Sequence, residues 1–437
     1  MDEGYQVDPA GRACMIHARI ERGAFCPEGA LAASEGLPAP AGYPGTLLCP
    51  GQNTIGMATY DLGFLGGGQL ARMSIQAAQR MGLRCLSLDP AADSPASQIA
   101  PAFTGRLNDP AAIARVLDQC ERVTFENEFI PADAVREALK RAGRREEVIV
   151  PGVDTLASIQ DKLRQREALA AASVPSPRAL AIDPSRPADA EELGYPMVLK
   201  ARFGGYDGKG TRYARDSAEF ESHRSLWTNG GWLAEEYVAF RRELSVMVAV
   251  GEDLALELPP METIQSAHVC DLTYPATQSE IGPANTLEVP RAAVNAVGGR
   301  GLFGVELFEL SNGQVLVNEI APRPHNTGHY TLDWGALSQF DLHVRLALGL
   351  ALPDVVRGVD VAMANLLGQP GARSYRAGLP ALLRDNPEIR FHWYGKAESK
   401  PGRKMGHLNM PLADVVPIGE QLAALRSARA RYYESDR

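Results

Sequence analysis

Residues 304–326 read GVELFELSNGQVLVNEIAPRPHN. Two apolar runs flank Asn312-Gly313, a pair that favours a two-residue type I′ hairpin turn. Counting outward from that turn sets Leu310 against Val315, Phe308 against Val317 and Glu306 against Glu319. Carboxylates directly opposite on paired strands repel, so the pairing predicts a positive charge between them. Carboxylate oxygens suit Mg²⁺ held together with substrate phosphates. Two solvated glutamates on an edge hairpin are the plain alternative. Asn318 beside Glu319, with Arg323, His325, Asn326 and His329 just downstream, favours a metal–phosphate platform.

About a hundred residues upstream lies FGGYDGKGTRY, residues 203–213. Its glycines bracket Tyr206, Asp207 and Lys209 and make a mobile loop whose N–H groups can wrap phosphate oxygens. Lys200, ending the apolar run that starts at Pro196, adds a point charge. The loop is not a Walker A motif, because G-x-x-x-x-G-K-[ST] is absent. Strands are expected over 232–238 (WLAEEYV), 244–250, 253–258 and 262–270, and a helix over 290–297. Beyond the hairpin, 337–350 reads as an amphipathic helix burying Phe340, Val344, Ala347 and Leu348.

Working further back, 60–65 reads as a strand. It is followed by three glycines, a helix over 69–81 with Leu70, Met73, Ala77 and Met81 inward, and a strand over 83–88. This βαβ opening satisfies G-x-G-x-x-A through Gly66, Gly68 and Ala71, a weak dinucleotide signal that guarantees only an anion site at a helix start. Helices over 110–119 and 131–142 alternate with strands over 122–125 and 148–150, which predicts a doubly wound parallel sheet. Glu126 and Glu128 follow a strand's C-terminal end, where ligands of such sheets bind. A helix over 155–173 carries Gln160-Asp161-Lys162 and ends before the boundary marked by Pro175 and Pro177.

At the C-terminal end, strands over 362–367 and 389–394 precede KAESKPGRKMGHLN. There Lys396, Lys400, Arg403 and Lys404 surround a tight turn suited to phosphate capture. A final helix covers 419–433. The chain has 437 residues, enough for two or three domains, and a net charge of −9 with both signs interspersed. That balance excludes a basic field for nucleic acid or an anionic membrane, and no apolar run is long enough to span one. Six scattered cysteines without a C-x-x-C pair argue against zinc and disulfides and fit a reducing cytoplasm. Residues 1–56, rich in Gly, Pro and Ala, are expected to be a disordered extension.

These segments together resemble the ATP-grasp superfamily, and most of all its 5-(carboxyamino)imidazole ribonucleotide synthase family of purine biosynthesis. The resemblance runs from about Met57 to the C-terminus. It is carried by GFLGGGQLARM, QDKL, LKARFGGYDGKGT, EEYVAFRRELS, VNEIAPRPHNTGHYT, SQFDLH and PGRKMGHLN, in that order. It implies mixed α/β and α+β architecture: a pre-ATP-grasp parallel-sheet domain over 57–155, an ATP-grasp domain over 156–355 with a mobile lid near 174–235, and a small C-terminal domain over 356–437.

The implied reaction is carboxylation of aminoimidazole ribonucleotide using ATP, Mg²⁺ and bicarbonate, through carboxyphosphate, by a cytoplasmic homodimer. By the same resemblance Lys162, Lys200 and the loop Gly205, Tyr206, Asp207, Gly208, Lys209, Gly210 and Thr211 hold nucleotide phosphates. Glu235, Glu236, Tyr237 and Val238 form the adenine hinge, and Glu243 meets the ribose. Asn318 and Glu319 match the family's Asn-Glu pair, with Glu306 and Glu319 as metal ligands. Arg323 and His325 sit at the bicarbonate, with Asp207 and Lys209 beside the reacting groups. Gln69, Leu70, Tyr206, Asp207, Lys209, Lys396, Arg403 and Lys404 surround the ribonucleotide. One departure stands out: Gln265 occupies a nucleotide-side position where the family commonly carries histidine. The alternatives are another ATP-grasp ligase, such as a formate-dependent glycinamide ribonucleotide formylase, a dinucleotide-dependent dehydrogenase, and a non-catalytic nucleotide-binding regulator.

Overall fold

Alternating apolar strands and amphipathic helices over the first ninety residues of the ordered pattern fold as the sequence predicts. The structure, a computed structural model, describes residues 58–205, 208, 210–266, 268–276, 285–369 and 375–435. The extension over 1–56, Tyr206, Asp207 and Lys209 therefore lie outside the described residues.

The chain opens with β1 (Tyr60–Leu65), α1 (Gln69–Arg80), β2 (Cys85–Asp89), β3 (Ala102–Thr104), α2 (Pro110–Gln119), β4 (Cys120–Phe125), α3 (Ala132–Ala142) and β5 (Ile149–Val150). Its strands pair in parallel in the order β3-β2-β1-β4-β5. The central strand β1 is buried on both faces at Leu62, Phe64 and Leu65, as a strand covered by helices on two sides must be. Met81, expected on the inner face of α1, is the exposed residue at its C-cap.

Helices α4 (Val153–Gln160) and α5 (Lys162–Ala171) replace the single helix expected over 155–173. Asp161 breaks it by taking an extended conformation and capping α5 through the Leu163 N–H. Next comes a small antiparallel sheet of β6 (Ala179–Ala181), β7 (Met197–Ala201), β8 (Thr211–Ala214) and β9 (Trp232–Glu236), in the order β6-β9-β7-β8. The short helix α6 (Ser217–Ser222) packs beneath it through Phe220.

The larger antiparallel sheet is built from β10 (Arg242–Val250), β11 (Ala255–Glu257), β12 (Met261–Ser266), β13 (Val269–Pro275), β14 (Gly301–Glu309) and β15 (Val315–Ala321). Helix α7 (Asn285–Ala296) covers it, and helix α8 (Gln339–Ala347) follows the hairpin. The sheet continues through β16 (Val361–Leu367), β17 (Arg390–Trp393) and β18 (Lys404–Pro411), with α9 (Leu379–Asp385) and α10 (Ile418–Ser435) on the C-terminal side. Its path is β15-β14-β10-β12-β13-β16-β18-β17. The single strand expected over 262–270 is instead the β12–β13 hairpin, which turns at His268 with a φ of 63°.

Helix α8 starts on a capping box between Ser338 and Asp341. Its Phe340, Val344 and Ala347 pack against Leu70, Met73 and Ala77 of α1. That shared core fixes the parallel sheet against the hairpin and holds Gly56–Arg437 as one compact unit.

Candidate active site

The β14–β15 hairpin opposes Glu306 and Glu319 as expected, but by a different route. Gly313 N donates to Leu310 O, and Gly313 takes a φ of 82°. The turn is therefore a three-residue loop with a left-handed glycine rather than a two-residue type I′ turn. Pairing becomes Glu309–Val315, Phe308–Leu316 and Leu307–Val317, correcting the expected Leu310–Val315 and Phe308–Val317. A bulge at Asn318 then shifts the register by one residue and restores the Glu306–Glu319 pair.

Glu306 shows what that opposition costs. Burial, then the charges of Glu319 and Glu243, push its carboxyl up to about 7, with Lys404 and Lys162 working the other way. The Asn318 amide is 3.4 Å from Glu306 Oε2. Two facing carboxylates, one of them accepting from Asn318 Nδ2, fit a hard divalent cation. A cation there would relieve the repulsion that raises Glu306.

Cationic side chains converge on the same hairpin. Lys162, first residue of α5, reaches Glu319 Oε1 at 2.6 Å. Lys200, at the end of β7, lies 3.5 Å from Asn318 Oδ1 and 2.7 Å from Glu235 Oε2. Glu235 is thus turned inward; loss of water pushes its carboxyl up, but Arg166 and Lys200 outweigh it and bring it down to about 2. Lys200 has Thr211 as its strand partner, and beside it Ala201 N donates to Gly210 O and Thr211 N to Gly208 O. A cavity of about 750 Å³ opens here, lined by Glu128, Lys162, Arg202, Gly205 and Glu319 among others. In the hinge, Glu236 pairs with Arg178 at 3.3 Å, Tyr237 is exposed and Val238 is half-buried. Glu243, on β10, is raised by burial, and the side chain of Gln265 hydrogen-bonds it.

Past β15, Arg323 grips Glu128 with two hydrogen bonds, Nη2 to Oε1 at 2.7 Å and Nε to Oε2. This pair joins the loop after β4 to the hairpin. His325 places Nε2 3.6 Å from Glu306 Oε1 and Nδ1 2.8 Å from Thr327 Oγ1. Burial, then Arg323 and Lys404, hold its imidazole well below its ordinary pKa. Gln339 fixes its backbone from both sides, accepting from His325 N and donating to His325 O, each at 2.9 Å. Gly304 leaves the room required: a Cβ there would lie 2.4 Å from His325 Cβ.

The start of α1 faces this centre. Leu70 N donates to Glu126 Oε1 at 3.3 Å and Gly67 N to Asp89 Oδ2 at 2.8 Å. Those carboxylates hold two N–H groups at the helix start, which an anion arriving there must displace. Gln69 is half-buried at the helix start. Lys396 is half-buried, its field reaches Glu126, and its Nζ donates to Lys404 O at 2.6 Å. Lys404 acts electrostatically on Glu306 and His325. Arg403 points outward, with Nη1 donating to Glu398 O at 2.9 Å. The sequence reading missed Arg166, which stands in no quoted motif, and gave no role to Gln339 although it lies in SQFDLH; both are buried.

The signature of the ATP-grasp domain matches residues 167–340, that of the ribonucleotide synthetase preATP-grasp domain residues 57–160, and that of the phosphoribosylaminoimidazole carboxylase C-terminal domain residues 361–420. The N5-carboxyaminoimidazole ribonucleotide synthase of Mycobacterium tuberculosis H37Rv is 40% identical over 371 residues, covering 82% of this chain and 85% of the relative. The chain belongs to the N5-carboxyaminoimidazole ribonucleotide synthase family. The family member of Synechococcus elongatus is 38% identical over 358 residues, covering 80% of this chain and 89% of its own length. The crystal structure of the family member from Aspergillus clavatus, in complex with ADP and 5-aminoimidazole ribonucleotide, superposes with a TM-score of 0.76 at 31% identity. That match covers 85% of this chain and 99% of the Aspergillus chain. No helix among the described residues is long and apolar enough to cross a membrane.

Proposed function

We propose that this chain carries out ATP- and bicarbonate-dependent carboxylation of 5-aminoimidazole ribonucleotide. The products are N5-carboxyaminoimidazole ribonucleotide, ADP and phosphate, a step of purine biosynthesis. The observation that carries the reading is the opposition of Glu306 and Glu319 with Lys162 already against Glu319. The family membership and the Aspergillus complex with ADP and ribonucleotide support it.

In this reading Lys162, Lys200 and the loop from Gly205 to Thr211, with Tyr206, Asp207 and Lys209, cradle the triphosphate. The hinge from Glu235 to Val238 borders adenine, and Glu243 with Gln265 borders the ribose. Glu306, Glu319 and Asn318 would hold Mg²⁺, which neutralises charge on the β- and γ-phosphates when bound. A bicarbonate oxygen attacks the γ-phosphorus, the bond to the β,γ-bridging oxygen breaks, and ADP leaves. The ribonucleotide amine then attacks the carbonyl carbon of carboxyphosphate; its C–O bond to the phosphoryl group breaks, and the amine proton is lost. Arg323 and His325 orient the anion, with Asp207 and Lys209 on the loop side. Gln69, Leu70, Lys396, Arg403 and Lys404 bind the ribonucleotide from the side of α1. Catalysis is positioning and charge neutralisation, and the closed glycine loop keeps water from the acyl phosphate. We also infer a cytoplasmic homodimer and the domain limits 57–155, 156–355 and 356–437.

The test is ADP release with aminoimidazole ribonucleotide present and absent, at controlled bicarbonate. Release that needs both, with ¹³C from labelled bicarbonate appearing in the product, supports the reading. Turnover that needs formate in place of bicarbonate overturns it.

A further inference from the structure

The bulge that sets Glu319 opposite Glu306 has its own holder. From the turn outward, the register through Leu307–Val317 would continue by placing Asn318 opposite Glu306. Asn318 is instead the extra residue, and pairing resumes at Glu319. Strand β15 is an edge strand, so its outward carbonyls have no strand partner. Arg166 of α5 supplies donors to two carbonyls at the bulge: Nη1 to Val317 O at 3.0 Å and Nη2 to Asn318 O at 2.7 Å. The same guanidinium holds Glu235 through Nε at 2.9 Å and Nη2 at 3.3 Å. Arg166 is 5% exposed and Glu235 2%, so water does not substitute for these bonds.

We propose that Arg166 is a positioning residue for the metal seat. It pins the β15 bulge to Glu235, and so fixes where Asn318 and Glu319 point relative to Glu306 and Lys200. The geometry asks for a planar fork: one side chain must serve a carboxylate and two carbonyls at once. A lysine ammonium keeps the charge toward Glu235 but loses the fork. Because Glu235 belongs to the small sheet and Asn318 to the large one, the same residue ties the two sheets at the site. The inference rests on the reading of Glu306 and Glu319 as the metal seat.

The test compares the parent protein with Arg166→Lys by calorimetric titration of ADP, in Mg²⁺ and in EDTA, alongside circular dichroism and steady-state kinetics. The ratio of the two dissociation constants measures how far metal strengthens nucleotide binding. In Arg166→Lys that ratio should fall by about tenfold, the scale on which groups orienting a ligand shift metal affinity. Binding in EDTA should stay within about threefold of the parent, and kcat should fall more than the ATP KM rises. An unchanged ratio overturns the role of Arg166. A parent ratio of one would sink the metal-seat reading itself, which separates the two failures. If Arg166→Lys does not fold, the same titration is run on Arg166→Leu/Glu235→Gln, which leaves no unpaired buried carboxylate. There too a reduced ratio supports the proposal, and a parent-like one overturns it. Loss of fold in both variants assigns Arg166 to the general framework and also overturns it.

Discussion

Lys162 Nζ stands 2.6 Å from Glu319 Oε1, so a cation from the first turn of α5 sits on the carboxylate that the hairpin turns toward Glu306. The site is therefore organised for charge neutralisation by protein groups, with Glu306 as the carboxylate least served. Glu319→Gln keeps the volume and the strand pairing but removes one of the two facing charges. Turnover should fall by at least about a hundredfold, as when a preorganised charge-stabilising group is lost. The thermal midpoint should stay close to the parent's, because the repulsion with Glu306 disappears as the bond to Lys162 weakens. Parent-rate ADP release by this variant would end the platform assignment.

The basic turn separates into two kinds of side chain. The charge of Lys404 acts on Glu306 and His325, whereas Arg403 is exposed to solvent. Arg403→Ala should raise the ribonucleotide KM by about tenfold, the size of one charged hydrogen bond, and leave the ATP KM alone. Lys404→Ala should lower kcat as well, because its charge also acts on Glu306 and His325. Initial rates with each substrate varied in turn check both. Equal effects of Arg403→Ala on the two KM values would remove it from the ribonucleotide clamp.

Much of this site was legible in the sequence, for reasons that differ along the chain. Strand alternation around Asn312-Gly313 located the hairpin because period-two patterning survives whatever turn is used. The opposition of Glu306 and Glu319 came out right although the turn did not. The three-residue loop and the bulge at Asn318 each shift the register by one, in opposite senses. Neither shift leaves a composition signal. The break at Asp161 was hidden because its neighbours continue a helical pattern, and its reason lies 41 positions away: Arg202 binds it through Nε at 2.9 Å and Nη2 at 2.5 Å. Arg166 was invisible for the same cause, since its partners lie 69 to 152 positions away.

Histidines buried without charge make stability depend on pH. His343, 2% exposed on α8, has Nε2 3.2 Å from Thr124 Oγ1, and burial takes it down to about 4. In the unfolded chain its pKa is about 6.5. Between those values the unfolded state binds a proton that the folded state refuses. Stability is therefore full above about pH 6.5 and falls as pH drops toward 4, by up to about 1.4 kcal/mol per unit for this residue. His329 and His407, also buried and shifted down, add slopes of the same sign. Urea midpoints at pH 7 and pH 5 should differ, and His343→Gln should narrow the gap. An unchanged gap would mean that His343 is not a contributor.

Arg323 and Glu128 supply a test that separates stability from chemistry. Their side chains are 16% and 15% exposed and meet in a paired hydrogen bond between the loop after β4 and the tail of β15. Glu128→Ala leaves the guanidinium nearly buried and unpaired. Unfolding free energy should drop by about 3 kcal/mol, the lower end for a broken buried pair because some water still reaches it. Glu128→Leu/Arg323→Met removes both charges and should recover most of that loss, since well-packed apolar replacements of an ion pair are often neutral. Activity should follow the opposite order. Under the proposed function Arg323 orients the bicarbonate, so Glu128→Ala, which retains that cation, should keep measurable turnover, whereas the double variant, which lacks it, should keep none. Denaturation curves and ADP release on the same preparations decide it. Recovery of both stability and turnover in the double variant would assign the pair to architecture alone and leave anion binding to His325 and the lysines.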